Sequence, residues 1–422
     1  MYKELSSCRI CGSQKFKTIL ELGNQVLTGV FPKKPHQALT SGPLELVKCD
    51  ENFGGCGLVQ LRHSYDSSEM YGENYGYRSS LNRSMVHHLH TKVQKILSVI
   101  SLQDGDLVID IGSNDGTLLQ AYPQESVQLV GIDPTGIKFK DYYPNTIRLI
   151  PDFFSAQIVR KNFGSKKAKI ITSIAMFYDL EQPMEFMKDV HEILANDGVW
   201  VFEQSYMPTM LDTTSYDTVC HEHIEYYGLK QIHWMTSRVG FKIIDVEFNA
   251  VNGGSFSIMV AKTSAPYLEN KSLVDEILLR EDSSGLSTEK PYELFKISVF
   301  NHKQLLLNFL HKAKSEGKLV LGYGASTKGN VILQFCELSK DDIPAIAEVN
   351  PDKFGSFTPG TLIPIISEEE ARAMNPDYFL VLPWHFKDNI IEREQEYLKK
   401  GGKLVFPLPH ITIVGQDGTT VY

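Results

Sequence analysis

A strand, a glycine-rich turn and a helix are predicted by DGDLVIDIGSNDGTLLQAY at residues 104–122. The run is apolar up to Asp110 and then passes Gly112 and Gly116, where glycine lets the backbone turn tightly and approach a ligand closely. The strand-like runs VQLVGIDP, TIRLIP, KAKIITSIAMF and DGVWVFEQSY follow, separated by helical or looping stretches. This alternation predicts a mostly parallel α/β sheet.

The segments on either side of this series complete the prediction. Residues 81–100 carry apolar side chains at helical spacing, and GFKIIDVEFNAVNGGSFSIMVAKT reads as a β-hairpin around Asn252-Gly253-Gly254. Parallel strands that finish in an antiparallel hairpin are typical of the Rossmann-like class I methyltransferase sheet. A second, smaller α/β unit begins at KLVLGYGASTKGNVILQFC.

Four of the six cysteines lie within the first 56 residues, and their spacing predicts a metal site. Cys8 and Cys11 form a C-x2-C knuckle, and Cys49 and Cys56 form a wider second pair. Four thiolates match a closed, structural Zn²⁺ site with no open position for chemistry. The alternative is four unrelated buried cysteines. We therefore predict a zinc-binding domain at 1–66, a methyltransferase domain at 67–300 and a C-terminal Rossmann-like α/β domain at 301–422.

Charge and hydropathy exclude several classes of protein. The net charge of -9 comes from interspersed acids and bases without a long basic run, so nucleic acid is not an expected partner. No apolar stretch reaches the length of a membrane span, and MYKELSSCRICGS has no signal-peptide core. We expect a cytoplasmic protein with no membrane partner, and a monomer is favoured.

The chemistry of the glycine turn favours S-adenosylmethionine (SAM) over a dinucleotide. The spacing is not G-x-G-x-x-G, and Asp110 and Asp115 supply acids near a cationic sulfonium and ammonium. Asp133 ends the second strand, where it would accept hydrogen bonds from the ribose hydroxyls, although capping the next helix is the alternative. The candidate cofactor residues are Asp110, Gly112, Asn114, Asp115, Gly116, Asp133, Asp152 and Phe153. Asp152 and Phe153 would bind the adenine by a hydrogen bond and an apolar contact; the alternative is that Phe153 is a core residue.

Titratable groups are densest in residues 217–227, DTVCHEHIEYY, after the fifth predicted strand. The H-E-H string lacks the spacing of H-E-x-x-H zinc helices, so acid–base chemistry is favoured over a catalytic metal. A surface loop with polar tips is the alternative.

Taken together, these motifs resemble the sugar C-methyltransferases of deoxysugar biosynthesis over essentially the whole chain. The carriers are C-R-I-C-G with C-G-L-V-Q-L, the segment Tyr75–Ser80, D-I-G-S-N-D-G, H-E-H with Tyr226-Tyr227, N-G-G-S at 252–255 and G-Y-G-A-S-T-K-G-N at 322–330. The resemblance implies methyl transfer to C3 of a nucleotide-linked 4-keto-6-deoxy sugar, with the nucleotide left open.

The resemblance also implies roles for the side chains. His223 would be the base that forms an enolate, directly or through water, and Glu222 would orient it or the sugar. Donors to the enolate oxygen would come from His221, Tyr75, Tyr77 or backbone amides. In this family we expect a tyrosine before H-E-H and a histidine after the fourth strand, where this chain has Cys220 and Tyr178. These departures predict a different sugar or stereochemistry.

The G-Y-G-A-S-T-K-G-N motif stands between a predicted strand and a helix, where amides and a lysine would receive a diphosphate. The alternative is a plain turn with a solvated lysine. Candidate substrate residues are Tyr75, Tyr77, Gly324, Ser326, Thr327, Lys328, Asn330, Asn350 and Lys353.

Two rival functions stay open on sequence alone. An O- or N-methyltransferase would use the same cofactor fold, and product structure would separate it from a C-methyltransferase. A zinc-containing SAM-binding protein without catalysis would show no turnover.

Overall fold

The computed structural model describes residues 2–71 and 77–422. Tyr75, a candidate catalytic and substrate residue, lies outside the described residues. In the described ranges, no helix combines the length and apolar character needed to cross a membrane.

An antiparallel sheet surrounds the N-terminal cysteines. Its elements are β1 (Lys3–Glu4), β2 (Phe16–Val26), β3 (Ser41–Cys49), β4 (Val59–Leu61), β5 (His63–Ser64) and α1 (Ser67–Met70). Strands β2, β3 and β4 pair in that order, and β1 pairs with β5. Fully buried Leu20 and Leu46 pack in the same core as Phe295 and Val299, which lie far along the chain. The N-terminal sheet is therefore anchored on the C-terminal part of the molecule.

The central part is a mixed sheet with helices on both sides. Its elements are α2 (Arg83–Val99), β6 (Leu107–Ile111), β7 (Gln128–Ile132), α3 (Gly136–Phe139), β8 (Ile147–Ile150), α4 (Ala156–Phe163), β9 (Ala168–Ile174), α5 (Pro183–Ile193), β10 (Leu194–Ser205), α6 (Met207–Asp212), β11 (Glu225–Tyr226), α7 (Leu229–Val239), β12 (Phe241–Asn249), β13 (Ser255–Lys262) and α8 (Lys271–Ser283). Strand β11 joins the N-terminal sheet instead, next to β4.

The order of the central strands is β8-β7-β6-β9-β10-β13-β12. Strands β6 to β10 are parallel, and β13 runs antiparallel to both β10 and β12. The predicted class I methyltransferase sheet is therefore confirmed.

The helix predicted directly after the glycine turn is shorter than expected. Residues Leu119–Ala121 form a single 3₁₀ turn. Pro123 follows closely, and a proline disfavours helical backbone in the residue before it. The turn therefore ends where a longer helix would have continued.

The C-terminal part is a second α/β sheet. Its elements are α9 (Lys290–Ser315), β14 (Val320–Tyr323), α10 (Thr327–Phe335), β15 (Ile346–Glu348), β16 (Ile365–Ser367), α11 (Glu368–Ala373), β17 (Tyr378–Val381), α12 (Lys387–Arg393), α13 (Gln395–Lys399), β18 (Lys403–Phe406), β19 (Thr412–Gly415) and β20 (Gly418–Val421). The strand order is β16-β15-β14-β17-β18-β19-β20, parallel from β16 to β18 and antiparallel beyond. Helix α9 runs across the predicted boundary at 300/301.

Candidate active site

The four N-terminal cysteines converge on one point. Their Sγ atoms all lie within 4.8 Å of one another. The Sγ atoms of Cys8 and Cys56 are 3.6 Å apart, and those of Cys11 and Cys49 are 3.5 Å apart. Tetrahedral zinc with Zn–S bonds of about 2.3 Å needs sulfurs about 3.8 Å apart. The cysteines fit structural Zn²⁺, and a full set of thiolates leaves the metal no catalytic position.

Asp110 lies at the carboxyl end of β6, beneath the glycine turn. Its carboxylate is 4% exposed and accepts a 2.6 Å hydrogen bond from the Thr172 hydroxyl. Burial raises the pKa of the Asp110 carboxyl to about 7. The Thr172 hydrogen bond lowers this pKa, and the charge of Asp133 raises it. A bound sulfonium or ammonium cation would favour the ionised carboxylate here.

Asp133 ends β7 and fixes the glycine turn. Its Oδ2 accepts the Asn114 amide at 2.7 Å, while Oδ1 accepts the amide and the hydroxyl of Thr135. Each carboxylate oxygen can accept two hydrogen bonds. Oδ2 therefore keeps one acceptor position for a ribose hydroxyl, and Asp133 is at once a turn anchor and a cofactor candidate.

The glycine turn is hydrogen-bonded to residues 77–80 of the tyrosine–serine segment. Asn114 accepts the Ser79 amide at 3.0 Å and donates to the Tyr77 carbonyl at 3.1 Å, and Asp115 accepts the Ser80 amide at 2.9 Å. Tyr77 itself is 47% exposed. Asn114 and Asp115 thus hold residues 77–80 against the glycine turn.

The two turn glycines have positive φ angles and little space for a side chain. Gly112 has φ 73°, and a Cβ there would lie 3.1 Å from Met176. Gly116 has φ 76°, and its Cβ would lie 3.1 Å from the Tyr143 ring. Glycine at both positions therefore lets Met176 and Tyr143 pack directly against the turn, and the buried acids Asp110 and Asp133 beside it fit SAM.

Asp152 and Phe153 follow β8 at the edge of the same site. Both are exposed, Phe153 by 51%, and the Asp152 carboxylate caps the Phe153 amide. Phe153 is therefore not a core residue, and an exposed aromatic ring here suits contact with a ligand.

One ring nitrogen of His223 is fixed, and the other has no hydrogen-bond partner among the residues that the structure describes. Nδ1 lies 3.0 Å from the Thr218 carbonyl, which can only accept, so Nδ1 carries the proton and Nε2 is left as the acceptor. The Tyr178 ring packs edge-on against the imidazole, with centroids 4.4 Å apart. Burial, and then the charge of Lys328, lower the pKa of His223 to about 3, so the ring is neutral.

The other two members of H-E-H face the N-terminal sheet. His221 is fully buried, with the Tyr65 ring 4.5 Å from its own and Nδ1 3.5 Å from the Thr28 hydroxyl. Glu222 accepts from the Thr28 hydroxyl at 3.2 Å. Burial raises the pKa of the Glu222 carboxyl. His221 is thus enclosed by residues of the N-terminal sheet, while Glu222 stands next to His223.

Asp179 is a site residue that the sequence motifs did not reveal. It follows Tyr178, whose carbonyl accepts the Ile224 amide at 3.0 Å, so this segment lies edge to edge with the H-E-H loop. The Tyr71 hydroxyl donates to Asp179 Oδ2 at 2.8 Å, and Oδ1 is buried without a hydrogen-bond partner among the described residues. Burial, with the charges of Glu222 and Glu225, holds the pKa of Asp179 well above its usual range.

Lys328 points from α10 toward the H-E-H loop. Its ammonium donates to the Asn252 carbonyl at 2.9 Å, and it is charge-coupled to Asp217 and Cys220. Burial lowers the pKa of Lys328. The structure therefore brings the C-terminal motif and the H-E-H loop next to each other.

Neighbouring candidates from the C-terminal motif mostly build the turn. Ser326 caps α10 by accepting the Gly329 amide at 3.0 Å, and Gly324 has φ 81°, where a Cβ would meet Pro383 at 2.7 Å. Asn330 is fully buried and donates to the Thr28 carbonyl at 2.7 Å. Thr327 Oγ1 lies near Gly29 and Glu222. Of these four, Thr327 lies beside the H-E-H loop.

Lys353 and Asn350 follow β15, and Lys353 lies beside the start of α10. Lys353 donates to the Ala325 carbonyl at 2.7 Å and lies over the Phe31 ring at 4.5 Å. Burial lowers the pKa of Lys353. Asn350 caps a short turn by accepting the Asp352 amide. Lys353 is thus a cation held at the α10 N-terminus.

Trp384 and His385 also lie near Lys328 and the H-E-H loop, and no motif indicated them. The Trp384 indole donates to buried Asp217 at 2.7 Å, and its ring lies 3.3 Å from the position of a Cβ on Gly253. His385 Nδ1 is buried without a partner among the described residues. A tryptophan-histidine pair directly after a parallel strand was the signal available in the sequence.

Models of known families match three consecutive segments of the chain. A zinc binding domain matches residues 8–71, a methyltransferase domain matches 85–246 and a C-methyltransferase C-terminal domain matches 250–409. The C-methyltransferase NovU of Streptomyces niveus is 29% identical over 422 residues, covering 99% of each chain.

Solved structures resemble parts of the molecule only weakly. A chain from the Haloferax volcanii complex of a methyltransferase with its activator Trm112 has a TM-score of 0.35 and 14% identity, over 42% of this chain and 91% of its own. A Bacillus halodurans methyltransferase has a TM-score of 0.32 and 11% identity, over 41% of this chain and 99% of its own. No functional assignment rests on these two.

Proposed function

We propose that this chain, a SAM-dependent C-methyltransferase by its matching domains and its NovU relative, methylates C3 of a nucleotide-linked 4-keto-6-deoxy sugar. A carbon beside a carbonyl is acidic enough for a side-chain base, and the resulting enolate is nucleophilic at that carbon. SAM, when bound, supplies a methyl group activated by its sulfonium. The side chains of this protein have to move the proton and hold the oxygen.

The tautomer of His223 carries the proposal. Because the Thr218 carbonyl holds the proton on Nδ1, Nε2 is ready to take a proton from carbon. Neutrality of the ring in the free site favours this role, and approach of an anionic sugar diphosphate would raise the pKa of His223 toward that of a working base.

Asp179 is proposed as the donor to the C4 oxygen. Burial raises the pKa of Asp179, and a carboxyl that keeps its proton can donate a hydrogen bond to a developing oxyanion. Its buried Oδ1 has no other partner in the described residues, and Tyr71 fixes the remaining oxygen. Because His221 is enclosed by the N-terminal sheet, we do not retain it as a donor.

The sugar diphosphate is proposed to lie against Lys328, Lys353 and the N-terminus of α10. Backbone amides at a helix N-terminus and lysine ammonium groups together favour phosphate oxygens. Lys328 also faces the H-E-H loop, so a diphosphate held there would place the sugar near His223.

The test is to incubate the protein with SAM and a panel of nucleotide-linked 4-keto-6-deoxy sugars, and to locate the new methyl group by NMR and mass spectrometry. We expect a product methylated on C3, absent with His223→Ala and present with His90→Ala, a histidine on helix α2. Methylation on oxygen or nitrogen would contradict the proposal.

Asp179 is tested on the same substrate by two substitutions. Asp179→Leu should lower kcat by about 100-fold or more, because the donor is lost, whereas Asp179→Asn keeps an N–H donor and should retain more of the rate. Equal losses in both variants would remove Asp179 from the donor role.

A further inference from the structure

The H-E-H loop is hydrogen-bonded to the sheet that carries the zinc cysteines. Strand β11 begins two residues after His223 and pairs with β4, with Glu225 opposite Gln60 and Tyr226 opposite Val59. The Leu61 amide donates to the Ile224 carbonyl at 2.9 Å. The residue directly after the proposed base is therefore held by the N-terminal sheet.

Arg9, between the zinc ligands Cys8 and Cys11, strengthens this junction. Its side chain is 1% exposed. The Nη1 group donates to the Leu61 carbonyl at 2.8 Å and to the Ile224 carbonyl at 3.3 Å, and Nη2 donates to the Ser64 hydroxyl at 2.8 Å. A planar guanidinium thus spans the cysteine knuckle, strand β4 and the end of the H-E-H loop.

Gln60 links the Arg9 side chain to the zinc ligand Cys8. Its Nε2 donates to Cys8 Sγ at 3.2 Å, and its Oε1 lies 3.3 Å from both the backbone amide and the Nη1 of Arg9. Groups that hydrogen-bond metal ligands fix ligand orientation. A continuous path of bonds therefore runs from Cys8 through Gln60 and Arg9 to Ile224.

We infer that Arg9 is a positioning residue for His223, and that the zinc knuckle holds the H-E-H loop in position. The inference rests on the proposed role of His223. It gives the N-terminal domain a part in the reaction without placing the metal near the substrate. Displacing a base by about 1 Å can cost about 100-fold in rate. Loss of the Arg9 contacts should therefore lower mainly kcat.

The test compares Arg9→Met with Lys15→Met, which removes an exposed lysine close to the same knuckle. Four quantities are measured on the full chain: bound zinc, the Kd for SAM, kcat with KM for the sugar, and deuterium uptake of residues 218–227. For Arg9→Met we expect one zinc per chain, an unchanged Kd for SAM, faster uptake, and a kcat lower by about 100-fold with little change in KM. Lys15→Met should match the wild type.

A second variant guards against misfolding of the first. Arg9→Lys keeps the positive charge but lacks the planar, two-pronged guanidinium that reaches Leu61, Ile224 and Ser64 together. Its deuterium uptake and kcat should therefore fall between those of the wild type and Arg9→Met. Deuterium uptake needs no substrate, so it decides the inference even if no keto-sugar is methylated. Wild-type uptake and kcat in Arg9→Met would overturn the inference, as would loss of zinc, which would make Arg9 a residue that retains the metal.

Discussion

Single residues set the protonation state of the candidate site. Glu222 is buried while His223 and Asp179 are half-buried, and their removal from water disfavours the charged form of each. The result is a neutral imidazole beside two carboxyls with raised pKa values. Such a site can take a proton from carbon and donate a hydrogen bond to oxygen near neutral pH.

Lys328→Met should change the pH dependence of the reaction. The pKa of His223 is lowered first by burial and then by the charge of Lys328, so removing that charge raises the pKa. A base is active only when neutral, and the rate falls as pH drops through its pKa. The acid limb of kcat/KM should therefore move to higher pH, with the same shift in an NMR titration of His223. Lys353→Met should leave the limb in place, and an unmoved limb in Lys328→Met would contradict the coupling.

Phe153→Ala should weaken SAM binding by about ten-fold, because an aromatic contact with the adenine would be lost. Phe153 is 51% exposed, so thermal stability should hardly change. Calorimetric titration with SAM and a melting curve measure the two effects. Phe53→Ala, at a 69% exposed ring between Cys49 and Cys56, is the matched control and should alter neither SAM affinity nor thermal stability. Unchanged SAM affinity in Phe153→Ala would remove this ring from the cofactor site.

The sequence predicted the candidate site where its residues are close in the chain. The glycine turn with Asp110 and Asp133, and the H-E-H loop with His223, were found because they are short motifs next to predicted strands. Asp179, Trp384 and Arg9 act through contacts with residues distant in the chain, and no local pattern reports such contacts.

At the scale of elements, long apolar strands were predicted well and short ones were not. Strand β6 is buried along its whole length, so its composition alone identified it. Strand β11 has two residues and pairs with a strand more than 160 positions earlier, which only the folded chain decides. The domain boundaries at 66/67 and 300/301 stay predictions.

The loop before β3 should be sensitive to added volume at Gly29. A Cβ at this position would lie 2.1 Å from Glu222 Oε1, so Gly29→Ala must displace that carboxyl. We expect kcat to fall by about ten-fold, with a loss of about 1–3 kcal/mol in the free energy of unfolding. Steady-state kinetics and denaturant unfolding measure both effects.

Gly415→Ala is the matched control, because a Cβ there would have its nearest contact at an ordinary 3.4 Å. It should leave kcat unchanged. A normal kcat in Gly29→Ala would show that Glu222 is free to move without consequence.

At the scale of the whole molecule, the zinc site joins parts that are far apart in sequence. Cys8, Cys49 and Cys56 pack in the same core as Trp200 and Tyr227 of the methyltransferase region. Metal binding should therefore stabilise more than the N-terminal sheet.

Cys56→Ser should lose bound zinc and lower the midpoint of thermal unfolding, because the remaining ligands no longer close the tetrahedron. Elemental analysis should find one zinc per chain in the wild type. Cys336→Ser, at a buried cysteine of the C-terminal sheet region, should keep its zinc. Full zinc retention in Cys56→Ser would exclude this cysteine from the ligand set.

In the proposed mechanism, His223 removes a proton from the carbon that is methylated. The most direct measurement is deuterium incorporation at C3 of the keto-sugar in D₂O, followed by NMR with SAM left out or replaced by its demethylated product. We expect exchange at C3 well above the rate without enzyme, and none beyond that rate with His223→Ala. Equal exchange in the two proteins, or methylation on C3 in His223→Ala, would contradict it.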